Sequence, residues 1–103
     1  MPVSCSSRDR ELTARLTGEV DHHGAKAIMA VLDEELDAAL PARLVVDLSG
    51  VTFMDSSGIA VLLRAYRRLG ELGGTMCLAN VPAQAAKVLR AAGLERIIPF
   101  QDK

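Results

Sequence analysis

The sequence is poor in aromatic residues, with two phenylalanines, one tyrosine and no tryptophan among 103 residues. A single-strand nucleic-acid binder needs ring faces on which bases stack, so that class loses its support. An excess of charge of one sign is also lacking, since 12 Lys and Arg stand against 13 Asp and Glu for a formal net charge of -1. No basic field exists to hold a phosphate backbone or an anionic membrane, and direct nucleic-acid binding is not expected. No stretch approaches the roughly 20 apolar residues that span a bilayer, and the opening MPVSCSSRDR has no apolar run of signal-peptide length. The expectation is a cytoplasmic protein without membrane insertion. Cysteine is scarce too: Cys5 and Cys77 are far apart, and neither belongs to a C-x-x-C or lies near a histidine at ligand spacing. Zinc and thioredoxin-like redox chemistry therefore have no motif. Both cysteines are read as small buried strand residues, with a regulatory disulfide as the lesser alternative in a reducing compartment.

What is present is a 50% hydrophobic content, enough for one compact core, with no repeat, low-complexity tract or linker. A single domain over residues 1–103 is expected. Residues Glu11 to Thr17 alternate Leu12, Ala14 and Leu16 with Thr13, Arg15 and Thr17, the period of a half-buried strand. Val3 and Cys5 suggest a shorter partner across the polar turn Ser7-Arg8-Asp9-Arg10, giving an antiparallel hairpin at the sheet edge. Asp21 can cap a helix in which Ala25, Ile28, Met29, Leu32, Leu36, Ala39 and Leu40 recur at helical spacing before Pro41. Leu44 to Leu48 is a nearly continuous apolar run, read as a central strand covered on both faces and followed by a loop from Ser49 to Asp55. A second helix from Ser56 to about Leu72 ends at Gly73-Gly74, Thr75 to Ala79 reads as a strand, Pro82 opens a third helix closed by Gly93, and Ile97 to Phe100 reads as a last strand. The expected fold class is α/β: a mixed four- to five-stranded sheet with an N-terminal antiparallel hairpin, covered by three to four helices.

The informative stretch is LVVDLSGVTFMDSSGIAVLL, Leu44 to Leu63, in which a buried strand delivers Asp55-Ser56-Ser57-Gly58 to a helix start. Sites in open α/β sheets collect outside the carboxyl ends of strands, and a helix N-terminus there favours negative charge. A serine at that place is suited to carry a phosphate. Aspartate and serine are also the commonest helix caps, so the tetrapeptide alone is a capping device. Three capping residues in a row followed by a glycine exceed what a cap needs. A hydrolase nucleophile elbow would read Gly-x-Ser-x-Gly, but Met54 replaces the first glycine, and His22 and His23 precede the serine instead of following it. No catalytic residues are assigned.

LTGEVDHH from Leu16 to His23, VVDLSGVTFMDSSGIAVLL from Val45 to Leu63 and AAGLERII from Ala91 to Ile98 together resemble the bacterial STAS-domain anti-sigma-factor antagonists of the SpoIIAA type. The likeness covers nearly the whole chain. It implies the STAS fold and a switch at the first serine after the aspartate, here Ser56, with Ser57 as the alternative acceptor. Similar proteins release a sigma factor by binding an anti-sigma factor with serine kinase activity; that kinase inactivates them and a metal-dependent serine phosphatase restores them. On this likeness Gly18, Glu19, Asp21, Asp55, Ser56, Ser57, Gly58 and Ile59 form the partner-binding surface, and the chain is substrate and ligand, not enzyme. A second class under the same likeness is a STAS accessory subunit of a membrane transport ATPase complex.

The remaining expectations are plainer. Asp55 serves as cap, as partner contact or as both. His22 and His23 are solvated or partner-facing, because adjacent helix-start residues do not face one another and no third ligand is near. No metal or cofactor is assigned, and nucleotide binding stays open because no phosphate-binding glycine loop is present. Arg64, Arg67 and Arg68 read as a solvated face, and Tyr66 and Met76 as core or edge packing. Gly58 is read as keeping bulk away from an approaching surface, so that Gly58→Ala would leave the melting temperature unchanged or slightly raised.

Overall fold

The computed structural model describes residues 2–101. Along the chain run β1 (Val3–Arg8), β2 (Glu11–Val20), α1 (His22–Ala39), β3 (Arg43–Met54), α2 (Ser56–Glu71), β4 (Thr75–Ala79), α3 (Ala83–Ala91), a 3-10 turn (Leu94–Arg96) and β5 (Phe100–Gln101). The strands lie in the order β1-β2-β3-β4-β5, antiparallel only between β1 and β2. The hairpin closes through two residues at positive φ, Asp9 (51°) and Arg10 (65°), the backbone that a tight two-residue connection requires. β3 lies in the middle, as its apolar run suggests.

Every parallel step moves one strand in the same direction, so right-handed crossovers place α1, α2 and α3 on one face of the sheet. Leu12, Ala14 and Leu16 of β2, Leu44, Val46 and Leu48 of β3 and Leu78 of β4 face Ile28, Leu36, Leu62 and Leu89 in that single core. The expectation of a central strand covered on both faces is thereby corrected. Val45 is buried instead with Cys77 and Ala79 in a small separate patch on the open face, where Arg43 bonds Gln101 at 2.8 Å beside the Cys77 thiol.

Two other expectations change. β3 does not stop at Leu48 but continues to Met54, because its pairing with β2 persists through two bulges, after Arg15 and after Gly18. The last strand is not Ile97–Phe100: the chain turns through Leu94–Arg96, Ile98 plugs the core, and only Phe100 and Gln101 pair with β4. Pro99 has no N–H to give to a ladder and contributes only its carbonyl, to Leu78.

Side chains also depart from expectation. Tyr66 is 40% exposed and packs in no core. Arg64 and Arg68 are more than a solvated face, since each reaches across to α1 at 2.7 Å, to Asp33 and Asp37 respectively; these carboxylates hold both guanidinium groups in the charged form. Cys77 is buried but Cys5 only half-buried. Two strands separate β1 from β4, and at about 4.8 Å per strand step the two thiols are too far apart for a bridge within the chain. No helix of the described residues is long and apolar enough to cross a membrane.

Candidate functional site

β2 and β3 run parallel and end together, with Val20 paired to Met54. Each delivers an aspartate in extended backbone to a helix start. Asp21 accepts a hydrogen bond from the Gly24 N–H at 2.9 Å, and Asp55 from the Ser57 N–H at 2.7 Å. The two ends are tied directly, because the Asp55 N–H donates to the Val20 carbonyl at 3.2 Å. Asp55 is therefore a true N-cap, and so is Asp21.

This arrangement gathers the residues expected to form a surface. Ser56 is the first residue of α2 and is exposed, whereas Ser57 is half-buried. Gly18 has φ of 84°, a backbone that residues with a Cβ resist, and sits where the extra residue Thr52 of β3 shifts the pairing; the exposed Glu19 follows it near the same strand end. Ile59 is half-buried against the core, and Ala60 beside it is exposed. His22 and His23 are exposed at the adjoining helix start; contrary to expectation their rings meet edge to face, 6.0 Å apart. No group of three or more His, Cys, Asp or Glu among the described residues is placed to hold a metal.

Gly58 is the exception. It is buried, and a Cβ there would meet Met54 Cγ at 2.5 Å and Sδ at 2.6 Å. The missing side chain makes room for the fully buried Met54 beneath the helix, not for a surface arriving from outside. The expected neutrality of Gly58→Ala is accordingly reversed.

Two residues escaped the sequence reading. Gln84 on α3 accepts from the Met54 N–H and donates to the Met54 carbonyl, both at 2.8 Å. Its amide thus replaces the strand that β4, ending opposite Asp47, does not supply. A lone glutamine two residues after Pro82 carries no signal of that role. Phe53 is 42% exposed beside the site; strand alternation would have turned it outward from Met54 had β3 been extended that far.

Upstream, Asp47 accepts from the Ser49 N–H at 2.9 Å and from Asn80 at 3.2 Å. Partial burial pushes its pKa up, but these bonds, that of the Ser49 hydroxyl and the charge of Arg15 outweigh burial and hold it below the usual carboxylate range.

The STAS domain family matches residues 4–103. The chain belongs to the STAS family. It is 34% identical over 91 residues to an anti-sigma F factor antagonist of Paenibacillus polymyxa, covering 88% of this chain and 78% of that one. It also superposes on the anti-sigma factor antagonist SpoIIAA in its unphosphorylated form with a TM-score of 0.80 at 26% identity, covering 98% of this chain and 87% of that one. The phosphorylated form of the Bacillus cell fate determinant SpoIIAA matches with a TM-score of 0.76, again at 26% identity, over 98% and 90%.

Proposed function

We propose that this STAS protein is an anti-sigma-factor antagonist whose binding is switched off by a phosphate on Ser56. Unmodified, it binds an anti-sigma factor with serine kinase activity and so frees a sigma factor in the cytoplasm; a metal-dependent serine phosphatase reverses the modification. The observation that carries this reading is the place of Ser56, exposed at the first turn of α2 while its neighbour Ser57 is half-buried with its N–H held by Asp55. The family and the relatives named anti-sigma-factor antagonists support the partner class.

The physics of the switch follows from that position. A phosphate adds about -1.5 to -2 charges. The positive end of α2 tolerates them, so the fold survives, as the likeness to both forms of SpoIIAA supports. Glu19, Asp21 and Asp55 already make this end acidic, and the added charge strengthens its repulsion of an acidic or closely packed partner surface. The chain serves as substrate and ligand, not as catalyst. Incubation with ATP and candidate anti-sigma kinases, followed by intact and fragment mass spectrometry, should show one phosphate on Ser56. Stoichiometric modification of Ser56→Ala would transfer the role to Ser57 or elsewhere.

A further inference from the structure

At the opposite flank from β5, β1 ends the sheet, and its backbone polarity can be read from one bond. The Thr17 N–H donates to the Pro2 carbonyl at 2.9 Å, and the register then runs Val3 to Leu16, Ser4 to Arg15, through to Arg8 and Glu11. Hydrogen-bonded pairs alternate along an antiparallel ladder. Ser4, Ser6 and Arg8 therefore direct their backbone groups at β2, and Val3, Cys5 and Ser7 direct theirs outward. Between Val3 and Ser7 this edge has no lysine, proline or bulge, the devices that ordinarily blunt a free strand.

The same three residues turn their side chains to the helix-covered face, where β1 and α1 leave a groove. Two adjoining hollows of about 280 and 310 Å³ lie there, floored by Val3, Cys5, Val31 and Ala38 and rimmed by Glu34 and Glu35. Among the described residues no ion pair engages either glutamate. Glu35 stands against the Cys5 thiol, whose pKa is raised by burial and then by that carboxylate. A small apolar floor, an acidic wall and a row of outward backbone donors and acceptors thus share one edge.

We propose that this edge and groove form a strand-addition site for an extended basic segment of a partner protein. Such a segment bonds the outward groups of Val3, Cys5 and Ser7 and sets alternate lysine or arginine side chains against Glu34 and Glu35. A second copy fits less well. Pairing β1 with β1 about a two-fold axis brings the glutamates of both copies towards one another across the new interface. The site is separate from the Ser56 switch and stands or falls without it.

The probe is a blocked peptide of alternating lysine and valine, titrated into the full chain and followed by amide shifts and hydrogen exchange. In the free protein the Val3, Cys5 and Ser7 amides should exchange faster than those of Ser4 and Ser6; saturating peptide should slow those three by about tenfold or more. Ser7→Pro removes an outward donor while sparing the β2 ladder, and should weaken binding about tenfold. The double variant Glu34→Gln, Glu35→Gln should weaken it similarly and flatten its salt dependence; should Ser7→Pro fail to fold, this variant carries the test. Equal binding of a glutamate-valine peptide, or indifference of the peptide to the carboxylates, overturns the proposal. Protection of the β1 amides by raised protein concentration alone, with a dimer in sedimentation, overturns it in favour of a second copy.

Discussion

The β2–α1 and β3–α2 junctions are built on one plan with different chemistry at the tip. Asp21 and Asp55 have almost the same backbone, φ -116° and ψ -174° against φ -112° and ψ -168°. Each is followed by two residues and a glycine, His22-His23-Gly24 in one and Ser56-Ser57-Gly58 in the other. The caps and the helix-end field are thus shared, and only the second junction offers a hydroxyl. The supports differ as well. The end of β3 lies between β2 and the Gln84 amide, with Gly58 pressed on Met54. β1 has ended opposite Leu16, so the last residues of β2 pair with β3 alone once Thr17 has bonded Pro2. On the proposed reading, a helix cap becomes a switch through the group it presents and through the firmness of what lies beneath.

The strongest way to break the comparison is to alter the two tips separately. On the proposed reading, Ser56→Asp should weaken binding of the anti-sigma partner by about 100-fold, some 2.7 kcal/mol, while Ser56→Ala binds constitutively. His22→Ala should move affinity by less than tenfold. Isothermal titration with the cognate kinase decides it, and equal losses at His22 and Ser56 would mean that the second junction has no special role.

Next in size is the pair of glycines. Gly58→Ala forces a methyl into Met54 and should cost about 1–3 kcal/mol in urea unfolding even after the gain in helix propensity. Gly24→Ala meets the Glu19 carbonyl at 3.0 Å and the Asp21 carboxylate at 3.5 Å, both looser than the Met54 contacts at Gly58, and should cost less. If Met54 is the obstacle, Met54→Val combined with Gly58→Ala should show coupling, the pair losing less than the sum of the single changes. Gln84→Ala comes third, at about 1 kcal/mol, because it leaves both backbone groups of Met54 without their partner. Faster exchange of the Met54 and Asp55 amides, with α1 unaffected, would mark the loss as local.

The sequence exposed those features that follow from short-range rules. Alternation placed Leu12, Ala14 and Leu16 inward, Asp21 and Asp55 announced their helices, and the Asp-Ser-Ser-Gly segment fell where strand and helix meet. Features set by distant neighbours stayed hidden. The length of β3 depends on bulged pairing with β2, the burial of Gly58 on where Met54 sits, and the tie to Gln84 on a contact 30 residues away. The Arg64 and Arg68 bridges needed the α1–α2 packing before their partners could be named. Local spacing cannot carry such information, since each depends on which elements become neighbours.

The smallest effect concerns the link between the two strands upstream of their junctions, where Asp47 of β3 faces Arg15 of β2 across the register. Its carboxyl titrates below the usual carboxylate range, so between its folded and unfolded pKa values the unfolded chain binds more protons than the folded one. The stability it contributes is therefore complete above the unfolded value of about 3.9 and is lost as pH falls through the folded value. Because Asp47 is only partly buried, the amount should stay below about 1 kcal/mol. Asp47→Asn can still accept from the Ser49 N–H but carries no charge for Arg15. Urea unfolding of both proteins between pH 7 and pH 2.5 should show the wild-type advantage constant near neutrality and shrinking below pH 4. A difference that persists unchanged to the lowest pH would assign the role of Asp47 to hydrogen bonding alone, and the charge link between β2 and β3 would have to be abandoned.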